Sequence, residues 1–265
     1  MAVKSCYYSR IFETKGVTDR PLYKTGSSIL HPYVLIPPLT EQKLLPVGST
    51  FTFTLVLIGE YTQALPYFVY TFRQMGEKGI GKFTSSTSGG ERGRGNYEIT
   101  AICQNGKNIW DNDKLHYEVD SFSFNKSEGQ IKSITLSFLT PFRLQRNGKL
   151  VHNPNFKEIF LSALRRAELL NYYYSDIRID DIIDIPALIK KSETIKETEN
   201  SLSVYEWQRY SGRQKTKLKM DGVVGDVTYE GDLGDFVPFF RFAEIFSIGK
   251  NTVFGLGRIV IKARK

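Results

Sequence analysis

From about residue 129 onward, the chain runs through a succession of periodicities that few folds accommodate. "QIKSITLSFLTPFRL" alternates as a strand does. "NPNFKEIFLSALRRAELLNYYY" then carries apolar residues at three- and four-residue spacing, with Asn153 or Asn155 placed to cap a helix. "SLSVYEWQRYSGRQKTKLKM" reads as a strand that turns basic, and "GVVGDVTYEGDL" as a further strand. "GDFVPFFRFAEIFSIG" reads as a second helix and "GLGRIVIKAR" as a closing strand. Strand, helix, strand, strand, helix, strand is the ferredoxin-like (RRM-like) order of an α+β fold. The intervening "RIDDIIDIPALIKKSETIKETEN" alternates in charge and is expected as a solvated loop or short helix.

The first half repeats part of this pattern. "STFTFTLVLIG" predicts a buried strand and "YTQALPYFVYTFRQMGEKG" a helix with Pro66 in its first turns. "GIGKFTSSTSGGERGRGNYEI" is a basic loop leading to a strand near Tyr97 to Ile102, and "KLHYEVDSFSF" alternates like another strand. No opening strand and helix are legible. The expectation is two domains: residues 1–128, a ferredoxin-like unit lacking its first strand and helix, and residues 129–265, a complete one.

Charge narrows the partners. Lys and Arg number 36 against 28 Asp and Glu, a net +8, which favours a polyanion. Aromatics at 13% suit stacking on unpaired bases, although most Tyr and Phe are expected in the core. Cys6 and Cys103 form neither a disulfide framework nor a zinc pair, and His31, His116 and His152 are widely separated. The expectation is no metal and no cofactor. No run approaches ~20 apolar residues, and the opening "MAVKSCYYSRIFETK" has no apolar signal core, so a cytoplasmic protein without membrane attachment is expected.

Two stretches carry candidate chemistry. In "YEWQRYSGRQKTKLK", Arg209, Arg213, Lys215, Lys217 and Lys219 fall on one face if the stretch is a single strand, with Trp207 and Tyr210 interleaved. Such a row would track phosphates. In "FSIGKNTVFGLGR", Gly249, Gly255 and Gly257 would let backbone approach a ligand, with Lys250 and Arg258 adding charge. The loop leaves a helix and enters a strand, and its spacing is not that of a Walker A loop, so a mononucleotide cradle is excluded.

"WQRYSGRQK", "GVVGDVTYEGDLGDFVPFFRFAEIFSIGKNTVFGLGRI", "HPYVLIPPL" and "TFTLVLIGEYTQALPYFVYTFRQMGEKGIGK" together resemble the CRISPR-associated repeat-RNA processing endoribonucleases of the RAMP superfamily. The resemblance runs from about His31 to Ile261. It implies tandem ferredoxin-like domains and metal-independent cleavage of CRISPR repeat RNA in precursor transcripts, leaving a 2′,3′-cyclic phosphate and a 5′-OH. With the basic stretch and the glycine-rich loop read as the RNA-binding surface, the expected RNA contacts are Trp207, Arg209, Arg213, Lys215, Lys217, Ser247, Gly249, Lys250, Gly255, Gly257 and Arg258. Other CRISPR-associated proteins or a second copy of the chain are further implied partners. Many members carry a histidine where this chain has Ser247, and members usually begin with about a strand and a helix more. That leaves Lys250 to stabilise the phosphorane, Tyr210 to donate or relay a proton, and His31 as the histidine nearest a family motif. The competing expectation is a non-catalytic RNA-binding RAMP protein that holds guide RNA in a larger complex.

Overall fold

The structure is a computed structural model, and it describes residues 7–13, 30–40, 42, 44–84, 93–124, 129–211 and 215–265. The chain divides into two compact units, one formed by residues 1–59 with 122–265 and the other by residues 60–121.

The larger unit opens with a short helix, α1 (Tyr7–Phe12). Strands β1 (Tyr33–Ile36) and β2 (Thr54–Leu57) follow, antiparallel to each other with Tyr33 opposite Leu57. The smaller unit enters through a 3-10 turn at Gly59–Ala64 and continues as α2 (Leu65–Lys78), with Pro66 in its first turn. Segment 96–97 is fastened to this helix. The Tyr97 hydroxyl donates to the Phe72 carbonyl at 2.7 Å, and the Asn96 side chain donates to the Glu77 carbonyl at 2.6 Å. A side chain at Gly76 would stand 2.2 Å from the Tyr97 carbonyl oxygen, so only glycine allows this approach.

Beyond α2 the smaller unit has little sheet. Strands β3 (Ile80–Thr84) and β4 (Gly93–Gly95) pair, and the Gly-Ser-Arg tip expected between them, residues 85–92, lies outside the described residues. Then come four two-residue strands, β5 (Cys103–Gln104), β6 (Lys107–Asn108), β7 (Trp110–Asp111) and β8 (Lys114–Leu115), paired as two hairpins. No strand forms at 97–102, and of "KLHYEVDSFSF" only Lys114–Leu115 is paired, as β8. Left-handed turns at Asn105, Gly106, Asn112 and Asp113 cut the region into ladders too short for alternation to apply.

Returning to the larger unit, β9 (Ser133–Phe142) leads to a small hairpin, β10 (Gln145–Arg146) and β11 (Lys149–Leu150), turned on Asn147-Gly148. Helix α3 (Phe156–Tyr174) begins in a capping box: the Asn155 side chain accepts from the Glu158 amide, and the Glu158 carboxylate accepts from the Asn155 amide. A 3-10 turn (Ile179–Asp181) and α4 (Ile185–Ser192) follow. Next is β12 (Lys196–Asn200), whose residues are all exposed. Its alternating charges predict a solvated loop or short helix; it is instead a charged edge strand with no apolar face to betray it.

Strand β13 (Ser203–Tyr205) also pairs along β16. Strands β14 (Gln208–Ser211) and β15 (Thr216–Lys219) form a separate hairpin. The fold closes with β16 (Gly222–Glu230), α5 (Val237–Phe246) and β17 (Ile259–Arg264). Sheet order is β12-β16-β9-β17, antiparallel throughout, as a βαββαβ chain makes it when each helix crosses over one intervening strand.

One face of this sheet offers Ile134, Leu136 and Phe138 of β9, Val227 and Tyr229 of β16, and Ile259 and Ile261 of β17, all buried. Helices α3 and α5 cover it, and their rings interlock edge to face: Phe156 with Phe236 at 5.0 Å between centroids, Phe160 with Phe239 at 5.4 Å. Among the described residues no helix is long and apolar enough to cross a membrane.

Candidate nucleic-acid interface

The segment between α5 and β17 is built on its own glycines. Helix α5 ends at Ser247, which takes a positive φ of 56° and donates its amide to the Ala243 carbonyl at 2.9 Å. The Ile248 amide donates to the Gly257 carbonyl at 2.9 Å, closing the neck of the loop. Outside the neck, the Lys250 amide donates to Arg143 O at 3.0 Å and the Gly257 amide to Pro141 O at 3.1 Å. The Arg258 amide donates to the Thr140 hydroxyl at 2.9 Å. The loop is thus laced to the end of β9. Its tip is a 3-10 turn, Thr252–Phe254, flanked by left-handed Asn251 and Gly255, and it rests against β1.

The three glycines serve this packing. A Cβ at Gly257 would be 1.7 Å from the Ile248 carbonyl oxygen, one at Gly255 2.3 Å from Pro37 Cδ, and one at Gly249 2.9 Å from Arg143 O. The close approach expected toward a ligand is made here by the chain itself, by backbone oxygens at Gly257 and Gly249 and by the Pro37 ring at Gly255. Ser247 is fully buried and its hydroxyl has no hydrogen-bond partner among the described residues. It therefore stands inside the turn and not on its surface.

The basic stretch is a hairpin and not one strand. Arg209 lies opposite Leu218, Tyr210 opposite Lys217 and Gln208 opposite Lys219. Cross-strand partners share a face, so Lys217 and Lys219 join Tyr210 on one side while Arg209 points to the other. The single row of cations read through the stretch is corrected accordingly. Lys215 takes a left-handed φ of 49° in the connection, which breaks the alternation there. Arg213, in the same connection, lies outside the described residues. At the hairpin's base the Asp221 carboxylate accepts from the Trp207 amide at 3.0 Å, and the Met220 amide donates to Trp207 O at 2.8 Å.

Two residues that sequence reasoning passed over join hairpin to loop. Arg143 accepts the Lys250 amide on its carbonyl and donates from its guanidinium to the Asp221 carbonyl at 2.7 Å. Phe254, at the loop tip, has the Arg209 guanidinium carbon 4.0 Å from its ring centroid. Arg143 gave no signal beyond being a cation at the end of a strand, and Phe254 looked like one of many core aromatics. Lys250 is exposed, its ammonium donating to the Gln145 side-chain oxygen at 2.6 Å. Arg258 is half-buried where the loop enters β17.

His31 is not brought to this place. Its ring nitrogen lies 2.9 Å from the Ile11 carbonyl, ahead of the first residue of β1, whereas the loop touches Pro37 beyond the last. His116 belongs to the smaller unit. Among the described residues no group of three or more His, Cys, Asp or Glu could hold a metal ion.

Residues 1–121 match a family model described as an N-terminal domain, and residues 136–259 match the model of the CRISPR-associated endoribonuclease Cas6. An uncharacterised protein of Archaeoglobus fulgidus is 24% identical over 272 residues, spanning 99% of this chain and 82% of its own. Among solved structures, a Cas6 of Thermus thermophilus in its product complex aligns over 96% of this chain and 89% of its own, with TM-score 0.54 and 15% identity. A partial Cas6-RT-Cas1–Cas2 complex contains a chain similar over 88% of this one and 39% of its own, with TM-score 0.57 and 11% identity. By its fold, and by the family match over residues 136–259, the C-terminal half of this chain is similar to the CRISPR-associated endoribonuclease Cas6 family.

Proposed function

We propose that the chain binds CRISPR repeat RNA on the basic hairpin and the glycine-rich loop and cuts it in precursor transcripts without a metal ion. In the reaction, the 2′-oxygen bonds to the adjacent phosphorus as its proton leaves, and the bond to the 5′-oxygen breaks as that oxygen takes up a proton. The products are a 2′,3′-cyclic phosphate and a 5′-OH. The observation that carries this reading is Arg143, which ties Lys250 and the base of the hairpin to one point at the end of β9. Cations held there by backbone hydrogen bonds meet developing phosphorane charge with little reorganisation. Lys250 stabilises that charge, Tyr210, exposed on the hairpin, donates or relays a proton, and Lys215, Lys217 and Arg258 hold the backbone. Ser247 and the glycines contribute by setting the turn. Other CRISPR-associated proteins, or a second copy of the chain, are partners of the same reading.

A second reading, a non-catalytic guide-RNA holder, is favoured by the burial of Ser247 and by His31 standing at the far end of β1. One assay separates them: 5′-labelled repeat RNA of the organism's own array, incubated in EDTA with the purified chain or with Lys250→Ala. A single cut with a cyclic phosphate, slowed about 100-fold or more in the variant, supports the endoribonuclease. Tight binding without a cut supports the holder.

A further inference from the structure

We infer that Phe254 and Arg209 form a stacking platform for one unpaired nucleobase of the bound RNA; the inference rests on the RNA-binding reading above. Phe254 is 42% exposed on a chain whose other phenylalanines are mostly core. It is not loose. The Phe254 amide donates to Asn251 O at 3.0 Å and the Gly255 amide to Thr252 O at 2.9 Å, while Thr252 beside it is buried. A rigid turn therefore presents a phenyl ring to solvent, which costs hydrophobic free energy in the free protein.

The Arg209 guanidinium lies 4.0 Å from the ring centroid, so ring and cation form a polarised aromatic surface. Nucleobases stack on such surfaces through their π-faces whatever their identity, and the cation adds attraction for the adjacent phosphate. Placement supports this occupant. Lys250 lies four residues before Phe254 in the same loop, and Tyr210, Lys217 and Lys219 occupy the hairpin's other face. A base on the platform would have its own phosphate beside the Arg209 cation, on the face of the hairpin away from Lys217 and Lys219. The pair accordingly fixes which nucleotide of an unpaired segment sits next to Lys250, a positioning role.

The test scans an abasic nucleotide along single-stranded repeat RNA and measures affinity for the wild type, Phe254→Leu, Phe254→Trp and Arg209→Lys. In the wild type, one position should lose about 5- to 100-fold. Phe254→Leu should bind intact RNA more weakly by the same factor and lose nothing further at that position, whereas Phe254→Trp should keep the wild-type profile. Arg209→Lys, which keeps the charge and loses the plane, should weaken binding with an unchanged salt slope. An abasic effect that persists undiminished in Phe254→Leu, or no sensitive position at all, overturns the platform and leaves RNA binding standing. A wild type that binds no repeat RNA overturns both.

Discussion

An added Cβ at Gly257 would stand 1.7 Å from the carbonyl oxygen of Ile248, and the amide of that same Ile248 donates to Gly257 O at 2.9 Å. The neck of the loop closes only if residue 257 has no side chain, and its φ of 72° adds a second demand for glycine. Gly257→Ala should cost about 3 kcal/mol or more, through overpacking and backbone strain together. Gly148→Ala is the control. Gly148 has a similar φ of 79° with nothing within 4 Å of an added Cβ, and should cost only about 1–2 kcal/mol. Urea unfolding of both variants checks the difference, and equal losses would mean the neck yields.

Gly255 is under a similar constraint. Its added Cβ would fall 2.3 Å from Pro37 Cδ, so Gly255→Val should lower the melting temperature as well as any RNA affinity. Lysines of the hairpin are cleaner probes of binding. Lys217→Gln with Lys219→Gln removes two exposed charges from one face without touching the Arg209–Phe254 pair. The slope of log affinity against log salt should flatten by roughly 1.4 for single-stranded RNA. An unchanged slope would take that face out of the interface.

The larger unit was legible where its signals were local. Strand β9, helix α3 with its Asn155 cap, β16, α5 and β17 each declare themselves by period or by a capping residue. Lys196–Asn200 did not, because an edge strand exposed along its length carries no alternation of polarity. Residues 203–219 were misjudged for the opposite reason: the period-two pattern was extended through a turn, which moved Arg209 onto the face of Lys217. At the site, the positions of the glycines were readable and their purpose was not, since what fills the space beside Gly257 is the backbone of a residue nine positions earlier. Arg143 acts through its carbonyl and its guanidinium on two separate segments, a relationship that no spacing in the sequence encodes.

Helix α3 carries the larger unit's core face, so its cap should register in global stability. Asn155→Ala removes the acceptor for the Glu158 amide and the Asn side of the reciprocal box, at about 1 kcal/mol. Glu158 also pairs with Arg146 of the small hairpin, so Glu158→Gln should show an added, salt-sensitive part that Asn155→Ala lacks. Urea midpoints at low and high salt test this, and identical salt responses would assign the whole effect to the cap.

Arg166, on the same helix, is buried with its Nε and Nη2 in no hydrogen bond among the described residues. Burial pulls its pKa down to about 10, against a smaller opposing influence from Tyr174. A cation held in the core with two of its three nitrogens unsatisfied among the described residues opposes folding, by roughly 3 kcal/mol on that shift. Arg166→Met keeps much of the volume and removes the charge, so it should stabilise the protein by about 1–3 kcal/mol. The sign of the pH dependence follows. Below pH 10 both folded and unfolded chains hold the proton, and the variant's advantage is constant. Above about pH 10 the unfolded chain, whose guanidinium keeps its ordinary higher pKa, still binds a proton that the folded chain has released, so wild-type stability rises relative to the variant and the gap closes. Urea unfolding of both proteins at neutral and alkaline pH, compared as a difference so that shared lysine and tyrosine titrations cancel, measures it. A variant less stable than the wild type at neutral pH would show that the guanidinium is satisfied in solution.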